Sequence, residues 1–253
     1  MLTEFHSGLG LAVPTVFYLA NQSNTEFTPE ELQNNVTQVS RITSIFLWIA
    51  YAFYLWFQMR THHGIYDAIL EADEERDADR HKDLKKDKLT FTECIIALTV
   101  SIALVTLIAI ALVEEIPFIV ENHNVSEMFM GLILVPLVEK AAEHMTAVDE
   151  AWDNQMNFAL SHVLGATIQT ALFNAPLVVI VGWGLSKQMT LNFDIFNIVV
   201  LILAILVVGN FLRDQKSNYL EGALCVIVYA IIAVGAFYFP RPTGGEHSTT
   251  PVE

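Results

Sequence analysis

A chain of 253 residues, 53% hydrophobic and only 16% charged, with a mean hydropathy of +0.45, is too apolar for an ordinary water-soluble domain and has the composition of a polytopic membrane protein. A formal net charge of −15 argues against nucleic-acid partners and against docking on anionic lipid headgroups, both of which want basic surfaces. Cys94 and Cys225 both fall inside apolar runs, where they read as small core or lipid-facing residues without a disulfide, and no Cys/His spacing suits a metal cluster.

In chain order, the amino-terminal MLTEFHSG has no Lys or Arg ahead of its apolar run. The run 9–20 is short for a span, so a signal peptide is poorly supported and a partial helix is expected. A polar stretch, NQSNTEFTPEELQNNVTQVS, then leads to the first full span, 42–57. Residues 60–90 read as a soluble linker: Ile65, Ile69 and Ala72 make a weak helical stripe, and EADEERDADRHKDLKKDKL follows with its acids first and its bases last. Further apolar segments are expected at 91–113, 128–148, 156–184, 195–212 and 219–239, and a short Pro/Gly/Thr-rich tail ends the chain. The expected fold class is therefore an all-α polytopic membrane protein of about six transmembrane helices plus a partial amino-terminal one. Its expected segments are 1–59, the linker 60–90, a five-helix block 91–239 and a loose tail 240–253.

Alternating these spans through a bilayer collects basic residues on the side of the 60–90 linker, where Arg213 and Lys216 also fall. Only Arg41, Lys187 and Arg241 fall on the other side, so the linker is expected to be cytoplasmic. Three sequons, at Asn21, Asn35 and Asn124, lie on the opposite side, as glycosylation would require.

The chemistry concentrates in GLILVPLVEKAAEHMTAVDEAWDNQMNFALSHVLGATIQTALFNAP, residues 131–176. Glu139, Lys140, Glu143 and His144 lie within two helical turns, and His162, Thr167, Gln169 and Asn174 follow on the next segment. Ionisable groups in hydrocarbon cost roughly 2.5–3.5 kcal/mol each even on lenient scales, so they persist where they face a cavity, a partner or an ion. Pro136 lacks an N–H and clashes with the carbonyl one turn earlier, which predicts a kinked or broken helix with a loosened carbonyl at Leu132. A broken helix with loose carbonyls beside a carboxylate is a cation site for a hard ion such as Ca2+. Glu143 is expected to take a cation or a proton alternately, with Gln169 offering a side-chain carbonyl and His144 orienting or sharing the proton. The plainer alternative is that Glu143 pairs with Lys140 and that the amides and hydroxyls join helices by hydrogen bonds. An intramembrane hydrolase using His144 and Asp149 is disfavoured, because no nucleophile converges with them.

The run GLILVPLVEKAAEHMTAV followed by GATIQTALFNAP resembles the second signature repeat of the vacuolar-type Ca2+/H+ exchanger family of the CaCA superfamily. Ser40-Arg-Ile-Thr-Ser and Gln58-Met-Arg-Thr-His resemble the start and end of that family's span before its acidic helix, and residues 67–79 resemble the acidic helix itself. The resemblance implies one repeat of an inverted-repeat cation exchanger, corresponding to the carboxyl-terminal half. Its cargo would be Ca2+ and its counter-ion H+, in a multi-pass protein of the vacuolar membrane, a secondary transporter and not an enzyme. It implies that Glu143 is the cation-binding and proton-coupling carboxylate, with His144, Gln169, Thr167 and Glu139 about it. It further implies a cytoplasmic helix that senses Ca2+ or regulates transport, with Glu71, Asp73, Glu74 and Asp77 as the acids that would bind the ion; on the residues alone, a mixed run of acids and bases reads as a solvated helix with i,i+4 ion pairs.

The pattern departs from the family at Glu139-Lys140, where Gly-Asn is usual, at Gly165-Ala166-Thr167, where Gly-Ser-Ser is usual, and at His162, where a small or apolar residue is usual. An ammonium at Lys140 about 6 Å from a divalent ion would oppose it by on the order of 5 kcal/mol at an effective dielectric near 20, unless Glu139 offsets it. No first-repeat carboxylate motif occurs upstream of Gly131. A carrier is therefore expected to need a homodimer or a separate amino-terminal half in the bilayer. The competing expectation is a degenerate, non-transporting half that acts as a membrane partner or regulatory scaffold.

Overall fold

The computed structural model describes residues 2–83, 85, 88–123, 125–214 and 218–240. The expected tail beyond Pro240, the sequon residue Asn124 and Lys216 lie outside them. The described residues are helical, with no strand among them. In chain order the α-helices are α1 (Leu2–Asn21), α2 (Pro29–Trp56), α3 (His63–Arg76), α4 (Arg80–Asp83), α5 (Phe91–His123), α6 (Glu127–Phe129), α7 (Val135–Glu139), α8 (Ala141–Trp152), α9 (Met156–Gln169), α10 (Ala175–Gly184), α11 (Ile195–Phe211) and α12 (Tyr219–Phe237). Among the described residues, four continuous helical segments are long and apolar enough to cross a membrane: Pro29–Thr61, Phe91–Asn122, Met156–Gly184 and Tyr219–Phe237; Ile195–Phe211 is a shorter apolar helix. The chain is a multi-pass, all-helical membrane protein.

Helix ends differ from the hydropathy boundaries for local reasons. α2 begins well before residue 42 because Thr28 and Glu31 cap each other: the Thr28 hydroxyl accepts from the Glu31 amide at 3.2 Å, and Glu31 Oε2 accepts from the Thr28 amide at 2.9 Å. α1 is a full helix of 20 residues, longer than the apolar run 9–20. The segment expected as one span at 128–148 is interrupted at Lys140, whose φ of −94° and ψ of 7° leave the helical region between α7 and α8.

Both prolines of the central stretch follow a widened turn. Met130–Leu134 and Thr170–Asn174 are π-helical, and the amides of Val135 and Ala175 reach back five residues to the carbonyls of Met130 and Thr170. Pro136 and Pro176 come next, each at the second position of the following helix. A proline interrupts the ordinary ladder at the residue four before it, and one extra residue per turn makes room for its ring. The loosened backbone expected near Leu132 takes this form, and it recurs forty residues on, before Pro176, where hydropathy gives no sign of it.

The chain forms two compact units, Met1–Arg80 with Glu143–Cys225, and His81–Ala142 with Val226–Glu253. In the first, Leu11, Leu47, Ile168, Leu172, Val179 and Leu191 form the core. The non-helical approach to α11 crosses this core, and its backbone is satisfied by side chains: Ser40 Oγ accepts from the Leu191 amide at 3.1 Å, Thr15 Oγ1 donates to the Leu191 carbonyl at 3.3 Å, and the Phe193 amide donates back to Thr15 at 2.9 Å. Non-helical backbone in an apolar interior persists only when its polar groups are paired in this way. In the second unit Ser126 donates to the Ala236 carbonyl at 2.5 Å and Phe129 meets Phe237 edge to face at 5.4 Å, joining the start of α6 to the end of α12.

Candidate cation site

Glu143 sits half-buried in the first turn of α8, and His144 beside it is exposed. Along α8 the exposed side chains of His144, Met145, Val148, Asp149 and Trp152 line a surface groove of ≈ 530 Å³. The turn 153–155 reverses the chain into α9, with Asn154 at a φ of 67°, the left-handed conformation asparagine tolerates. Just before and after this turn the two helices touch: His162 Nδ1 lies 3.5 Å from Glu150 Oε1.

That contact fixes which faces of α8 and α9 are turned together. Seven residues separate Glu143 from Glu150, and seven separate His162 from Gln169. Seven residues are close to two helical turns, so each pair shares a face, and each outer residue stands about 10 Å along its own helix from the contact. Glu143 and Gln169 thus each lie on the face of their own helix that carries the Glu150–His162 contact, about two turns further from the turn 153–155. Gly165 lies on the same stripe of α9, and a Cβ placed there would meet nothing within 4 Å, so a small residue leaves this face open. Thr167 does not share that stripe; its hydroxyl is spent on the Val163 carbonyl at 3.0 Å. Gln169 and Asn174 are exposed.

The widened turn that follows α9 is held by α2. Trp48 Nε1 donates to the Phe173 carbonyl in the widened turn at 3.2 Å, and the two rings stack at 5.3 Å with an interplanar angle of 2°. In the other unit, Lys140 Nζ lies 3.8 Å from Glu139 Oε1. The ammonium therefore carries a counter-charge on the adjacent residue.

The four acids singled out in the charged linker, Glu71, Asp73, Glu74 and Asp77, do not behave alike. Glu71 and Glu74 are exposed, while Asp73 is only 1% exposed and caps α9. Asp77 gathers instead with Asp79 and Asp153, the three offering carboxylate oxygens that all lie within 4.8 Å of one another. Glu150, Trp48, Asp79 and Asp153 were not singled out from sequence. Glu150 had a legible signal, its seven-residue spacing from Glu143; the other three depend on contacts distant in the chain.

The family model described as "Sodium/calcium exchanger protein" matches residues 94–238, more than half of the chain. The chain belongs to the sodium/calcium exchanger protein family. This exchanger-family chain is 34% identical to the vacuolar calcium ion transporter of Schizosaccharomyces pombe, over 91% of its own length and 53% of that protein's. It is 32% identical to vacuolar cation/proton exchanger 2 of Oryza sativa subsp. japonica, over 94% and 53%. It is 31% identical to a Ca(2+)/H(+) antiporter of Synechocystis sp., over 85% and 60%. The chain thus spans about half the length of the curated relatives it matches most extensively. The solved structure of native YfkE superposes with a TM-score of 0.64 at 25% identity, covering 93% of this chain and 63% of that one. These similarities fit the exchanger-type resemblance of the central motif and a single repeat of that fold.

Proposed function

We propose that the chain carries one half of a Ca2+/H+ antiport site, with Glu143 as the carboxylate that binds cation and proton in turn and Gln169 as a neutral oxygen ligand. The observation that carries this reading is the Glu150–His162 contact: Glu143 and Gln169 each stand about two turns from it, on the same face of their own helix. A carboxylate with an amide carbonyl is the hard-oxygen donor set that Ca2+ prefers. Proton and cation compete for the same oxygens because either one neutralises them, and that competition suffices for exchange. Lys140 does not oppose the cation as a bare charge, since Glu139 accompanies it. Glu71, Glu74 and Asp77 are read as regulatory acids of the same carrier.

The relatives' names support a vacuolar membrane and Ca2+ as cargo; movement from cytosol to an acidic lumen, with residues 60–90 on the cytosolic side, completes the reading and rests on the distribution of Lys and Arg. The site is completed by a second copy or by a complementary amino-terminal half, and the exposed groove along α8 is the face available to it. In proteoliposomes holding the chain at increasing density, or with a complementary half, an imposed inside-acid gradient should drive Ca2+ uptake that Glu143→Gln abolishes. Uptake unaffected by Glu143→Gln, or none at any density or with either partner, would overturn the reading.

A further inference from the structure

α9 begins without a cap of its own. Gln155 precedes its first residue and makes no side-chain cap hydrogen bond, so the first amides of the helix need acceptors from elsewhere. They find them 84 residues away in sequence: Asp73 Oδ2 accepts from the amides of Asn157 at 2.7 Å and Phe158 at 3.1 Å, and Oδ1 accepts from Asn157 Nδ2 at 2.8 Å. Both carboxylate oxygens are engaged, the side chain is 1% exposed, and its negative charge lies at the positive end of the helix dipole. A second tie lies one turn on, where the Ala78 amide donates to the Asp153 carbonyl at 3.2 Å. Past its opposite end, the widened turn 170–174 is tied to α2 through the Trp48–Phe173 hydrogen bond.

We propose that Asp73 is a positioning residue for the cation site: α3, from the charged linker, clamps the start of α9 through this one carboxylate and so sets where Gln169, at the other end of the same helix, presents its carbonyl. The Gln169 part of this inference rests on the reading given under Proposed function; the clamp itself does not. An α-helix of 14 residues is a rod of about 21 Å, and a rod tied at its start and just past its end transmits a displacement at one end to the other. Moving α3 away would strip the acceptors from the first turn of α9 and loosen its register.

The test uses the full chain in lipid nanodiscs, with amide hydrogen exchange as one readout and proton-driven Ca2+ uptake in proteoliposomes as the other. Asp73→Asn removes the negative charge at the start of α9 and weakens its hydrogen bonds to the helix amides, and should speed exchange across residues 156–160 by about tenfold, with the rest of the chain unchanged. Asp73→Glu should retain part of the protection, and Glu75→Gln, an exposed acid on the same helix, should retain all of it. Asn157→Ala removes only the side-chain donor and should give a smaller, still local increase, which decides the matter if Asp73→Asn does not fold. In uptake, Asp73→Asn should raise the half-saturating Ca2+ about fivefold with the maximal rate held within about twofold, whereas loss of folded carrier would lower the rate alone. Unchanged exchange at 156–160 in both Asp73→Asn and Asn157→Ala overturns the clamp, and a fall in rate without a shift in half-saturation overturns the positioning role. If exchange responds but the unaltered chain transports nothing with any partner, the clamp stands and the carrier reading fails.

Discussion

Gln169 carries its amide on the face of α9 that bears His162, while Thr167, two residues earlier, has turned its hydroxyl into its own helix. The account therefore separates these two neighbours. Gln169→Leu keeps the size of the side chain and removes its oxygen; it should raise the half-saturating Ca2+ for uptake by about tenfold, equivalent to about 1.4 kcal/mol of lost cation binding. Thr167→Val should leave it within about twofold, because the lost hydroxyl served the Val163 carbonyl. Equal effects from the two would place the wrong residue in the site. Sequence alone grouped both as polar lining, since spacing along one helix does not reveal which hydroxyl bonds its own backbone. It also grouped Asp73 with Glu71 and Glu74. Nothing within ten residues distinguishes these acids, because what sets Asp73 apart is an uncapped helix start 84 residues downstream.

At the scale of elements, two devices let this chain break helices inside an apolar interior. One is the widened turn ahead of Pro136 and Pro176; the other is the pair Ser40 and Thr15, which satisfies the backbone of residues 191–193. Ser40→Ala and Thr15→Val each strand a buried backbone group and should lower stability by about 1–3 kcal/mol in equilibrium unfolding, more than the same changes at exposed Ser161 or Thr106. No difference between the buried and exposed pairs would show that the irregular segment is satisfied otherwise. Pro136 made the break ahead of it legible in advance, whereas the one before Pro176 was not foreseen. The capping box at Thr28-Pro29-Glu30-Glu31 was equally legible as a pattern, yet hydropathy placed the start of that helix at residue 42. The serine and threonine pairings were not legible, since they join positions more than 150 residues apart.

At the scale of the molecule, membership of the exchanger family and an all-helical, multi-pass architecture follow from composition and motif together, and the apolar segments read from hydropathy fall on helices. The orientation remains a consequence of the proposed function and has its own check. Single cysteines in place of Glu75 and Ser23, introduced with Cys94 and Cys225 replaced, should react with a membrane-impermeant maleimide from opposite sides of a sealed vesicle, Glu75→Cys from the cytosolic side. Reaction of Glu75→Cys from the luminal side would reverse the topology drawn from the distribution of Lys and Arg, and reaction of both from the same side would show that the segment between them does not cross the membrane.

The most direct measurement of the central claim is proton release on Ca2+ addition to the purified chain, with its complementary half where one is needed, in weakly buffered nanodiscs containing a pH indicator. The account predicts that Ca2+ displaces protons from the unaltered protein, that Glu143→Gln loses this release, and that Glu75→Gln keeps it. Ca2+ binding without proton release, or a release that Glu143→Gln leaves intact, would contradict it.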